Sequence, residues 1–243
     1  MNLPSESLAS SRSTAESATP GVGVSEVASD RRDEGAKRRS ERGRFEGARL
    51  VVYAALLVAA VVTVTALARG FTEEGLRENI RMTARLSVVL FLLPFAASAV
   101  NALWRRPWTK WLLRNRRYLG LSFAVSQFTH LAFVLSLSVA YTSSFLDGVS
   151  IKTLTGGSIG YLFLALMTAT SFDRSAAWLG RRRWRQLHLM GIYLLWAIFL
   201  FSYVEPALAG SPAGAFVVPL LAAVALRAAA AIRRRERSTD QHR

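Results

Sequence analysis

Residues 50–68 read LVVYAALLVAAVVTVTALA, a continuous run that contains no charged side chain. At about 1.5 Å of rise per residue, a helix of this length covers roughly 28 Å, close to the thickness of the hydrocarbon core of a bilayer. Inside lipid every backbone amide must be hydrogen-bonded within the protein, so such a run forms a helix unless it belongs to a closed barrel. The stretch therefore predicts a membrane-spanning helix and decides the fold class.

Five further apolar runs follow along the chain, and 51% of all residues are hydrophobic while 19% are charged. The fourth run is short and follows the turn-like sequence TGGS at 155–158. Short loops between apolar runs favour antiparallel neighbours in one bundle. We therefore predict an all-α integral membrane protein, a bundle of six transmembrane helices within residues 46–232. The six spans are Leu50–Ala68, Leu86–Trp104, Tyr118–Tyr141, Ile159–Phe172, Leu187–Val204 and Ala213–Ile232.

The two ends of the chain have a different composition. Residues 1–45 are rich in Ser, Ala, Glu and Arg and contain no long apolar stretch, which predicts a disordered tail and argues against a signal peptide. Residues 233–243 form a basic C-terminal tail. With so few residues after the last span, we expect no flavin or nicotinamide domain in this chain.

The net charge of +15 lies entirely on one side of the predicted membrane domain. The N-terminal tail, the second and fourth loops and the C-terminal segment carry the excess of Lys and Arg, whereas the other loops are neutral. This pattern places both termini in the cytoplasm. Tryptophans interleaved with these arginines favour contact with lipid headgroups over nucleic-acid binding.

Most common catalytic and metal-binding patterns are missing from the sequence. The absence of cysteine excludes disulfides, thiolate ligands and iron–sulfur clusters. No nucleophile elbow is present, and GVG at 21–23 lies in the tail without a following strand. GGSIG at 156–160 contains no lysine, and we interpret it as a turn in the third loop.

Two histidines lie in predicted spans and are the candidate functional residues. His130 is about twelve residues into the third span, where a polar side chain is costly and indicates a functional site. From its position, it is a hydrogen-bonding group between helices, a cofactor ligand or part of a proton or ion relay. His188 lies at the start of the fifth span among arginines, where a solvated or lipid-facing role is also open.

Two sequence segments resemble those of a known family. RNRRYLGLSFAVSQFTH at 114–130 leads into the third span, and TSFDRSAAWLGRRRWRQLH at 170–188 leads into the fifth. Together they resemble the ferric reductase-like transmembrane domain family. The resemblance is strongest to its compact bacterial branch, which includes haem-binding membrane subunits of methionine sulfoxide reductase systems (MsrQ-type). It covers about residues 50–232.

The resemblance implies a b-type haem held between histidines of the third and fifth spans, with His130 and His188 as its iron ligands. It also implies propionate or donor-protein contacts for Arg117, Arg182, Arg183 and Arg185 at the cytoplasmic face. Electrons would pass from a cytoplasmic reductase or quinol to a separate acceptor on the other side. Any flavin or quinone would be supplied by, or shared with, a partner.

The sequence departs from the family at position 201, where a further histidine of the fifth span is replaced by Phe201. Counted from the arginines that precede them, His130 and His188 differ by ten residues in depth, roughly 15 Å of helix. One histidine could hold the haem, with water or Met190 opposite, or a partner could supply a ligand. Alternatively, the chain is a haem-free scaffold or assembly partner that retains the fold. A transporter is disfavoured because no inverted repeat or interrupted helix pair is visible.

Overall fold

The computed structural model describes residues 47–240, and every regular element in that range is helical. The all-α prediction is therefore confirmed for this part of the chain. A short 3-10 turn, Pro212–Phe216, precedes the last helix. The nine α-helices are α1 (Gly47–Arg69), α2 (Glu73–Leu103), α3 (Pro107–Arg114), α4 (Arg116–Ala140), α5 (Thr142–Gly148), α6 (Ile151–Ala169), α7 (Asp173–Leu179), α8 (Arg181–Leu208) and α9 (Val217–Asp240).

Five of the described helices are long and apolar enough to cross a membrane. They are α1, α2, α4, α8 and the segment Pro212–Arg237, which includes most of α9. Helices α5 and α6 count as a sixth span if they are taken together, although the chain bends by 100° between them. The sequence prediction of six spans thus corresponds to five continuous candidates and one bent one. The expectation of a disordered tail at 1–45 lies outside the described residues.

The prediction of a turn at 155–160 is wrong. Helix α6 begins at Ile151, and the Ser150 hydroxyl accepts a hydrogen bond from the Thr153 amide at its start. Glycine is tolerated here because lipid offers the backbone no other hydrogen-bond partner, so the helix is kept. A Cβ atom at Gly160 would lie 2.8 Å from Cδ1 of Ile198, so the missing side chain lets α6 approach α8.

The predicted second and fourth loops, on the expected cytoplasmic side, also contain helices. Helix α3 begins at Pro107, a residue suited to a helix start because its fixed φ is already helical. Helix α8 begins at Arg181, six residues before the predicted span, so the arginines before His188 are helical. Gly180 separates α7 from α8 with φ of 77°, a conformation that side chains other than glycine rarely adopt.

Helix α2 is central to the bundle, and the buried surface that it presents to its neighbours is polar in one half and aromatic in the other. Its N-terminal half carries Asn79, Thr83 and Ser87, which follow one another at intervals of four residues and are buried. The Ser87 hydroxyl hydrogen-bonds the Ser126 hydroxyl of α4 at 2.9 Å. Because small hydroxyl residues let helices approach closely in lipid, this polar seam fixes α4 against α2.

The C-terminal half of α2 continues the same surface with aromatic side chains. The Phe91 ring lies 5.3 Å from Phe123 of α4 and 5.2 Å from Phe199 of α8, measured between centroids. Phe123 and Phe199 also contact each other at 5.9 Å. Tilted and edge-on rings at these distances attract one another beyond simple area burial. We call Phe91, Phe123 and Phe199 the aromatic cluster; it joins the second, third and fifth spans.

Candidate functional site

His130 of α4 faces α2 rather than α8. Its Nδ1 lies 3.1 Å from the Ile80 carbonyl oxygen and 3.2 Å from the Thr83 hydroxyl. A carbonyl oxygen only accepts, so Nδ1 carries the proton. The Thr83 hydroxyl donates to the Asn79 carbonyl at 2.6 Å and is therefore an acceptor toward His130 as well.

This arrangement fixes the tautomer of His130. With the proton on Nδ1, the lone pair of the neutral ring is on Nε2. A histidine that binds a metal ion usually donates its other ring N–H to a backbone carbonyl or a carboxylate, which orients the ring. The bond to Ile80 thus gives His130 the geometry of a metal-ligating histidine. The same bond also serves as an ordinary contact between two helices.

His188 of α8 faces α6. Its Nε2 lies 3.1 Å from the Thr170 hydroxyl, which itself donates to the Leu166 carbonyl at 2.7 Å. The hydroxyl therefore accepts from His188, so the proton is on Nε2 and the lone pair is on Nδ1. Trp184 stacks on the imidazole at 4.3 Å and donates its indole N–H to the Thr170 carbonyl.

The two histidines lie at different depths in the bundle. The Gln127 amide donates to the Tyr161 hydroxyl at 3.1 Å, which places these residues of α4 and α6 at one level. From that level, His130 is three residues farther along α4. Thr170, the partner of His188, is nine residues farther along α6 in the opposite direction. The separation is about twelve residues, or roughly 18 Å of helix.

A second pair of contacts gives a larger separation. Phe123 and Phe199 contact each other and so mark a common level on α4 and α8. His130 lies seven residues beyond the first ring, and His188 lies eleven residues before the second. By this measure the histidines are roughly 27 Å apart along the helices. Both values exceed the roughly 15 Å expected from the sequence.

A single haem iron bound by both histidines does not fit this arrangement, because the two side chains lie at different levels and face different helices. The aromatic cluster also occupies the space between α4 and α8. A cavity of about 40 Å³ lies between α4, α6 and α8, and neither histidine lines it. His130 alone could hold an iron, since Nε2 carries the lone pair and the hydrogen bond of Nδ1 to the Ile80 carbonyl orients the ring.

Neither position 201 nor Met190 provides a further iron ligand inside the bundle. Phe201 is 76% exposed and lies on the outer surface of α8, whereas Phe199 on the same helix is buried in the aromatic cluster. Met190, the other candidate for a further ligand, is 63% exposed. The surface position of residue 201 leads to a specific prediction.

We expect the substitution Phe201→His to leave haem content and the absorption spectrum unchanged, because a side chain at this position projects from α8 into lipid. The measurement is the reduced-minus-oxidised spectrum of the purified variant beside that of the wild type. A change to a six-coordinate, low-spin spectrum in the variant would contradict the described position of residue 201.

The arginines implied by the resemblance lie near the starts of α4 and α8. Arg117 forms an ion pair with Asp173 at 2.6 Å, across the gap between α4 and α7. The other three, Arg182, Arg183 and Arg185, have exposed side chains in the first turns of α8. No group of three or more His, Asp or Glu side chains with metal-binding geometry occurs within residues 47–240.

Sequence reasoning gave no role to Arg227, which lies within the predicted sixth span. The structure places Arg227 inside α9, with hydrogen bonds to the Tyr193 hydroxyl and the Phe95 carbonyl. Arg227 is ten residues after the start of an apolar helix, and a lone charge inside a span is costly. This position could have indicated from the sequence that Arg227 has partners in the bundle.

Comparison with known proteins gives one weak likeness. Over 143 residues the chain is 29% identical to the protein-methionine-sulfoxide reductase heme-binding subunit MsrQ of Cronobacter sakazakii. The aligned part covers 54% of this chain and 70% of that relative. No family model matches the chain. The chain is thus similar to an MsrQ-like membrane protein over about half its length, in keeping with five to six candidate spans.

Proposed function

We propose that the chain is a b-type haem-binding electron-transfer subunit of the bacterial inner membrane, related to the ferric reductase-like transmembrane proteins. The proposal is supported by the likeness to a relative whose name describes a haem-binding reductase subunit. It is supported further by the helical membrane architecture and by the two sequence segments that lead into α4 and α8. In this proposal both termini lie in the cytoplasm.

The observation that carries the proposal is the hydrogen bond from Nδ1 of His130 to the Ile80 carbonyl. It holds the ring in one tautomer and leaves Nε2 as a ligand within a membrane span. Bound there, haem would supply reversible one-electron chemistry. The carbonyl of Ile80 and the hydroxyl of Thr83 orient the ring and keep the proton on Nδ1.

His188 is proposed as a second ligand at its own, cytoplasmic level. Its Nδ1 carries the lone pair, and Trp184 and Thr170 restrict the ring. Because the two histidines are too far apart to share an iron, they would serve separate centres. Arg182, Arg183 and Arg185 provide positive charge for propionates or for a donor protein at this face, and Arg117 does so beside its partner Asp173.

The proposed electron path crosses the membrane from the cytoplasmic side. A separate reductase or membrane quinol would deliver electrons near the start of α8. A separate acceptor protein would receive them at the opposite face, which includes the start of α2 and helix α5. A flavin or quinone would come with these partners. The chain then acts as one redox component of a larger system.

A haem-free scaffold is the second candidate, and a specific observation favours it. Each histidine is hydrogen-bonded to a neighbouring helix, and the aromatic cluster fills the space between α4 and α8. In this function His130 serves only to hold α2 against α4, a contact that averages about 0.6 kcal/mol in membrane proteins.

An absorption spectrum of the purified protein separates the two functions. The protein is expressed with ample haem supply, purified in detergent and measured in the oxidised and the dithionite-reduced state. We expect a Soret band and the reduced bands of a b-type haem. A protein that is folded and monodisperse but contains no haem would overturn the proposal and leave the scaffold.

A further inference from the structure

Arg227 lies inside the last span, and its guanidinium is hydrogen-bonded to groups of two other helices. Its Nε donates to the Tyr193 hydroxyl at 3.0 Å, and Nη1 donates to the Phe95 carbonyl at 2.8 Å. The guanidinium also lies over the rings of Phe95 and Tyr193, at 4.7 and 4.9 Å from their centroids. An arginine held by an aromatic pair and by backbone oxygen is fixed in position and keeps its charge.

Arg116 approaches the same part of α2 from the start of α4. Its Nε donates to the Pro94 carbonyl at 3.0 Å, and Pro94 directly precedes the residue that Arg227 contacts. The two guanidinium groups thus donate to the carbonyls of two consecutive residues of α2. Two like charges held this near to each other in a partly buried place repel, so an anion beside them would be stabilised.

No carboxylate neutralises this pair among the residues that the structure describes. The ion pairs of residues 47–240 involve other arginines, namely Arg69, Arg77, Arg81 and Arg117. The contacts of Arg116 and Arg227 are carbonyl oxygens, a phenol and aromatic rings. These groups satisfy some N–H donors without cancelling a positive charge.

The pair also retains unused hydrogen-bond donors. Arg227 uses Nε and Nη1, which leaves Nη2 without a partner in the described chain. Arg116 uses Nε alone and keeps both terminal nitrogens. The Tyr193 hydroxyl accepts from Arg227, so its own proton is available. Fork-shaped N–H groups of this kind match the oxygens of a phosphate.

The surroundings favour a phosphate that belongs to a lipid. The site lies between α2, α8 and α9, toward the end of the bundle where the basic segments are. Tyr193 is 37% exposed, so the hydroxyl is reachable from the surface of the bundle. Basic pockets between spans at the cytoplasmic side bind anionic headgroups.

We propose that Arg116 and Arg227, with Tyr193, form a binding site for the phosphate of an anionic phospholipid where α4, α8 and α9 meet α2. The site is independent of haem binding. It adds a specific lipid contact to the general attraction between a basic face and an anionic membrane. A bound headgroup would also connect α4, α8 and α9 through one ligand and so stabilise the bundle.

Native mass spectrometry of the full chain with phosphatidylglycerol, phosphatidylcholine or inorganic phosphate tests the proposal. We expect retained phosphatidylglycerol and a rise in thermal stability with that lipid alone. The substitution Arg227→Gln should weaken retention roughly tenfold to a hundredfold, because hydrogen bonds to charged groups are lost. Arg237→Gln is the matched control, since it removes the same charge from an exposed position of the same helix.

Several outcomes would overturn the proposal. Equal protection by phosphatidylglycerol and phosphatidylcholine would do so, as would equal losses in Arg227→Gln and Arg237→Gln. An effect of inorganic phosphate as large as that of the lipid would show a soluble-anion site instead. Loss of haem without loss of lipid would assign the pair to a haem propionate. If Arg227→Gln does not fold, Tyr193→Phe keeps the ring and removes the hydroxyl, and it should still weaken retention measurably.

Discussion

The substitution His130→Ala is expected to abolish binding of the haem that we propose His130 to hold. Removing an iron ligand should lower haem affinity more than 10- to 100-fold, which is the loss of metal affinity when only the hydrogen-bond partner of a ligand is removed. The measurement is the haem-to-protein ratio from the Soret band and the reduced spectrum. Imidazole added to His130→Gly should restore part of the signal, because the lost group is then supplied from solution.

The same experiment on His188→Ala tests whether the histidines act at separate levels. We expect this variant to retain the haem signal that depends on His130, because the two residues are roughly 18 to 27 Å apart along the helices. Complete loss of haem in both single variants, with both proteins folded, would indicate a shared iron and contradict the described geometry. Thermal unfolding of the haem-free proteins identifies a variant that has simply failed to fold.

The substitution Phe199→Ala is expected to give the largest loss of stability. Phe199 is 7% exposed and contacts Phe91 and Phe123, so alanine leaves a cavity where three helices meet. Lipid removes much of the hydrophobic term, and the remaining cavity term suggests a loss of on the order of 2–3 kcal/mol. The measurement is the free energy of unfolding in mixed micelles.

Phe201→Ala is the matched control for this prediction. It makes the same chemical change two residues away on α8, where the ring is 76% exposed. We expect its free energy of unfolding to stay within about 0.5 kcal/mol of the wild type, as is usual for a surface position. Similar losses in both variants would mean that the aromatic cluster does not hold the three helices together.

Much of the fold follows from short-range features of the sequence. The run at 50–68 and its five successors predicted helices in lipid, and the structure has five to six candidate spans. The prediction failed at 155–160, where glycines that favour turns in water remain within α6. Local propensity was the wrong guide there, since a backbone in lipid has no water to replace its helical hydrogen bonds.

The candidate site was only partly predictable. Sequence reasoning found His130 and His188, because a polar residue within or beside an apolar run is visible without a structure. It did not find the partners Ile80 and Thr170, and it did not assign a role to Arg227 within α9. Each of these contacts joins two different helices, so no spacing within one span reveals it.

The sequence by itself determined that this chain is a helical membrane protein with a basic side and with histidines in two spans. These properties depend on run length, composition and charge order, which are local. The tertiary structure decided that His130 faces α2, that His188 faces α6, and that aromatic rings lie between their helices. It also brought Arg116 and Arg227 to neighbouring carbonyls of α2. The physical reason is that side-chain partners across a bundle depend on the rotation and axial offset of each helix, which only the packing of all the helices together sets.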